Sequence, residues 1–71
     1  MEQHMQFTWT DTSIIAEELY DKHPKINPQY IRFTDLHKMI RELDGFVEGE
    51  VGSNEKILEA IQAAWIIEAQ D

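Results

Sequence analysis

The sequence predicts a single, mainly α domain whose three helices follow an order compatible with a helix-turn-helix or winged-helix arrangement. Three observations predict it. The chain has 71 residues, too few to build two separate hydrophobic cores. Three stretches space their apolar residues at helical intervals. Two irregular segments, one holding both prolines and the other all three glycines, separate those stretches.

The first helix is expected to begin at Thr10 or Asp11, either of which can cap free backbone N–H groups, and to run to about Lys22. Ile14, Ile15, Leu19 and Tyr20 would turn inward, while Glu17, Glu18 and Asp21 would face water. The helix stops at His23-Pro24, because the residue before a proline is biased away from helix. Lys25 to Phe33 is irregular, with Tyr30, Ile31 and Phe33 expected to extend along the core.

Thr34 is the expected N-cap of the second helix, with Asp35 in its first turn. Leu36, Met39, Ile40 and Leu43 stand at i, i+3, i+4 and i+7, the spacing of one buried face. Asp44 to Gly52 reads as a loop with a short extended excursion around Phe46-Val47. Ser53 is expected to cap the third helix, and Glu55 suits the positive end of its dipole. Ile57, Ile61, Ala64 and Trp65 form its stripe, widened by Leu58. Ile66 and Ile67 carry apolar character onto further faces, which a partner could cover.

Composition narrows the function classes. There are no cysteines, which excludes thiolate catalysis, cysteine-ligated clusters and a disulfide scaffold. No apolar run approaches the roughly 20 residues of a membrane span. The first residues lack a basic start and an apolar stretch, so a cytosolic location is expected. Fourteen acidic residues against six basic ones give a net charge of −8. That field repels nucleic-acid phosphates and anionic lipid, and favours basic protein patches or cations as partners. Lys38, Arg41 and Lys56 are too few on the second and third helices for a DNA-reading surface. Surplus carboxylates also keep small proteins soluble, whatever their function.

No catalytic constellation is present. His4, His23 and His37 do not pair at i, i+4, and no phosphate-binding or dinucleotide motif occurs. Ser53 reads as a cap rather than a nucleophile, and the carboxylates lack an apolar pocket to tune them as acids or bases. His37 is expected to pack or cap beside Leu36. Trp65 is expected to anchor the core, and Trp9 to fold back onto it near Phe7. Arg32, between Ile31 and Phe33, could bridge to Asp35 or Asp11. Carboxylates cluster at Glu17, Glu18 and Asp21, and again at Glu42, Asp44, Glu48 and Glu50. Such clusters can hold Fe²⁺, Mn²⁺ or Ca²⁺ weakly, or simply form a solvated face.

Three segments together resemble a known family. They are Trp9-Thr10-Asp11 with the Leu19-Tyr20-Asp21 that follows, Arg32-Phe33-Thr34-Asp35-Leu36-His37, and Ser53 to Gln62 followed by Trp65. In order and separation they are similar to IscX, also called YfhJ, over about Phe7 to Glu68. The resemblance implies a modified winged-helix domain over residues 7–71, preceded by a flexible extension at residues 1–6. It also implies a monomeric regulator or adaptor of iron–sulfur cluster assembly. Such a protein binds the cysteine desulfurase IscS through an acidic face and ferrous iron weakly; ferredoxin is a further partner it leaves open. An iron donor to the cluster scaffold is the alternative. By position, the partner face would comprise Asp11, Glu17, Glu18, Asp21, Asp35 and Asp44, and iron would fall to Glu17, Glu18, Asp21 and Glu48. The family's loop is often a denser acidic run; here glycine and valine interrupt it at Asp44-Gly45-Phe46-Val47-Glu48-Gly49-Glu50, which favours the first-helix cluster.

Overall fold

A computed structural model describes residues 6–70. The expected flexible extension at residues 1–6 lies outside them except for Gln6, which is exposed. Among the described residues there are three α-helices, α1 (Thr12–Lys22), α2 (Phe33–Arg41) and α3 (Glu55–Gln70), and a short 3-10 turn at Pro28–Tyr30. They contain no extended strand.

The apolar stripes explain the packing. α1 buries Ile15, Ala16 and Leu19, with Ile14 and Tyr20 half-buried beside them. α3 buries Leu58, Ile61 and Trp65, with Ile57 and Ala64 at the margin. These two helices form the main contact, and α2 closes the core with Leu36 and Ile40, aided by Leu43 just past its end. The shortest extent of the molecule is 16 Å. Helices packed about 8–10 Å apart fill that depth with two layers, leaving no thickness for an enclosed chamber. No helix among the described residues is long and apolar enough to cross a membrane.

The helix ends depart from expectation in instructive ways. Asp11 stands at the N-cap of α1, but its side chain does not bond the helix amides. Its Oδ2 instead accepts the backbone N–H of Thr8 at 2.9 Å, folding the preceding segment back. α2 begins two residues earlier than expected. Leu36 N–H donates to the Arg32 carbonyl at 2.9 Å, so Arg32 is the cap residue and Thr34 lies in the first turn, exposed. Arg32 is itself exposed and forms no ion pair with Asp35 or Asp11. Asn54, not Ser53, caps α3. The Asn54 Oδ1 accepts the Ile57 N–H at 2.9 Å and its carbonyl accepts Leu58 N–H at 3.0 Å, the geometry of an N-cap reaching its third helical residue.

Between α1 and α2, Asn27 Oδ1 accepts the Gln29 N–H at 3.0 Å and starts the 3-10 turn with Pro28 at its head. Pro28 is buried, and the Gln62 side-chain amide on α3 donates to its carbonyl at 2.8 Å. Ile31 and Phe33 pack on the core as expected, but Tyr30 is 80% exposed. With Pro28 fixed inward, the tight turn carries Tyr30 to its outer side.

The loop after α2 turns at Gly45, whose φ of 89° suits a residue without Cβ. It then runs beside the segment before α1. Phe7 N–H donates to the Gly45 carbonyl and Val47 N–H to the Phe7 carbonyl, both at 2.9 Å, making a parallel bridge between Phe7 and Phe46. This is the extended excursion expected around Phe46-Val47. A Cβ at Gly49 would sit 3.2 Å from the Thr8 methyl, so the loop backbone stays close to that segment further along.

Candidate functional site

The arrangement of α1 follows from its buried stripe. With Ile15, Ala16 and Leu19 turned to the core, Glu17 and Asp21 project one turn apart into solvent, and Glu18 is half-buried beside them. Like charges at i, i+4 cost a helix a few tenths of a kcal/mol, so this pair brings α1 no local stability. Lys22 is the sole cation of α1. The face is therefore a strongly negative patch on a rigid element.

The remaining candidate carboxylates are spread around it. Asp11 is half-buried with one oxygen already bonded to Thr8. Asp35 is exposed in the first turn of α2, where its charge favours the helix dipole. Asp44 is exposed at the turn beyond α2. Among the described residues, no three histidine or carboxylate side chains converge closely enough to enclose a metal ion. Glu17, Glu18 and Asp21 thus offer a charged surface rather than a coordination shell.

Glu48 has a different setting. Its Oε2 lies 3.1 Å from Nε of Arg41, and its Oε1 accepts the indole N–H of Trp9 at 3.3 Å. Trp9 is buried; His37 stacks on it with centroids 4.8 Å apart and planes at 24°, and Phe46 meets it edge-on at 4.8 Å. Phe7 adds a second edge contact to Phe46 at 6.1 Å. The expected packing roles of Trp9 and His37 are those observed. Their mutual stack, and the use of Glu48 to join Trp9 with Arg41, were not foreseen. Residues 39 positions apart carry no periodic signal of their contact.

The family model for iron–sulphur cluster assembly matches residues 7–70. An uncharacterized protein of Pseudomonas aeruginosa is 45% identical over 64 residues, which cover 90% of this chain and 97% of that protein.

Proposed function

The chain belongs to the iron–sulphur cluster assembly family, the IscX/YfhJ family, and from that membership we propose a non-catalytic adaptor that regulates cluster assembly in the cytosol by binding the cysteine desulfurase IscS. The observation that carries the reading within this family is the acidic face of α1, with Glu17 and Asp21 fully displayed on a chain of net charge −8. Glu18 adds to this face, while Asp11, Asp35 and Asp44 extend the negative field around it.

The mechanism is electrostatic docking. Carboxylates fixed on a helix attract arginine and lysine side chains, speed encounter and set orientation, while like-charged surfaces are turned away. The same field excludes nucleic acid as a partner. In this reading the three-helix frame is a modified winged helix, with the segment around the Phe7–Phe46 bridge standing where a wing would be. A monomer suffices for this role.

Ferrous iron is a weakly held second ligand in this reading. One or two carboxylates of α1, with water filling the other positions, suit a hydrated divalent cation of low affinity. Glu48 contributes less to iron, because Arg41 and Trp9 already occupy its oxygens. Iron on α1 neutralises part of the docking face, so metal and desulfurase weaken one another.

Calorimetric titration of the protein into metal-free IscS, at low and at physiological salt, tests the reading. Binding that weakens with salt is the expected result, since exposed charges are screened over about 8–10 Å near physiological ionic strength. No binding at either salt, with Fe²⁺ uptake intact, would overturn it in favour of an iron donor to the scaffold.

A further inference from the structure

Tyr30 is 80% exposed, yet the turn that carries it is firmly held. Asn27 caps that turn, Pro28 is buried beneath it, and Gln62 of α3 bonds the Pro28 carbonyl at 2.8 Å. An aromatic ring presented to water on an anchored turn costs solvation without contributing to the core. Beside it lies an open groove of about 450 Å³, floored by Ile26, Ile31 and Met39. The other wall comes from α2 and its C-cap residue, where Asp35, Lys38, Met39 and Glu42 stand at i, i+3, i+4 and i+7 on the flank beside the buried Leu36 and Ile40, with Met39 nearest the core.

We propose that this groove docks a basic segment of a partner protein, seating one apolar side chain of it against Ile26, Ile31 and Met39 while Tyr30 packs over the top. Rim charge selects the occupant. Asp35 and Glu42 flank the single Lys38, so the wall is net negative on a strongly acidic molecule. An apolar residue with arginine or lysine on either side complements it. A second copy of this chain does not, because a symmetric contact would bring the same carboxylates face to face. Tyrosine is also among the residues that carry most energy when buried at an interface. The inference rests on the adaptor reading and makes the groove a second, partly apolar foothold on IscS, supplementary to the acidic face of α1.

Titration of wild type, Tyr30→Ala and Glu42→Lys into metal-free IscS, each at low and physiological salt, tests it. Tyr30 is so exposed that its truncation leaves the fold intact, which circular dichroism verifies. The expected result is about tenfold weaker binding for Tyr30→Ala at both salts, as burial of an aromatic anchor is not screened. The loss for Glu42→Lys is expected to shrink as salt rises. If wild type binds and both variants bind equally well, the groove assignment is overturned and the adaptor reading stands. If wild type does not bind, both fall together. Self-association of wild type that Tyr30→Ala abolishes would give the groove to a second copy, and would likewise overturn the proposal.

Discussion

The indole N–H of Trp9 meets Oε1 of Glu48 at 3.3 Å across 39 positions of the chain, and the other oxygen of that carboxylate holds Arg41. One loop side chain thereby links the segment before α1 to the end of α2. Both bonds are modest. The indole bond is long, and the ion pair is more than half exposed on each side, where such pairs contribute about 0–1 kcal/mol. Glu48→Ala is therefore expected to lower stability by about 1–2 kcal/mol in urea denaturation. Arg41→Ala should cost less than about 1 kcal/mol. Equal losses from the two would show that the Trp9 contact contributes nothing.

The capping of α3 provides a sharper contrast between neighbours. Asn54 Oδ1 is bonded to the Ile57 N–H, and Ser53 makes no such bond. Asn54→Ala is expected to cost about 1 kcal/mol, and Ser53→Ala to fall within about 0.5 kcal/mol of wild type. Thermal melts of the two variants decide it; a larger loss at Ser53 would reassign the cap.

These particulars show which parts of the molecule were readable in advance. Leu36 with Ile40, and Leu58 with Ile61 and Trp65, were legible because helical spacing records the buried face directly. Caps were less so, since Ser53 and Asn54 are adjacent and equally able to start a helix; only the bond to Ile57 separates them. Tyr30 was misplaced because hydrophobic character suggested burial, whereas the turn set by Asn27 and Pro28 decides where the ring points. The acidic residues of α1 were legible as an exposed cluster, as the apolar stripe leaves Glu17 and Asp21 nowhere else to go. The Trp9–His37 stack and the Glu48 clasp depend on tertiary docking of a loop, which no local pattern encodes.

Trp65 carries an unusual combination. It is fully buried in the core, and its indole N–H has no hydrogen-bond partner. An orphaned buried donor costs about 1–3 kcal/mol. Trp65→Phe removes that donor while leaving a smaller void, so the two effects oppose, and a net loss below about 2 kcal/mol is expected. Trp65→Ala leaves a large cavity and should cost about 3–5 kcal/mol. A chain of this size has only about 4–10 kcal/mol in total, so a substantial unfolded fraction should appear for Trp65→Ala in circular dichroism at 37 °C. A loss well above about 2 kcal/mol for Trp65→Phe would mean that removing the unpaired N–H does not offset the void.

The proposed docking face on α1 can be inverted without disturbing the fold. Asp21→Lys places a cation four residues after Glu17, the favourable order for an ion pair along a helix. Glu18→Lys alters a half-buried position whose long stem can reach solvent. The double variant should therefore melt within a few degrees of wild type while presenting the opposite charge to IscS. Its affinity at low salt is expected to fall at least about tenfold. The gap should narrow at physiological salt, where the screening length is about 8 Å. Fe²⁺ uptake should fall in the same variant, because the same carboxylates attract the cation. A double variant that folds normally and binds IscS as tightly as wild type would remove α1 from the interface, and the reading would then depend on the Tyr30 groove alone.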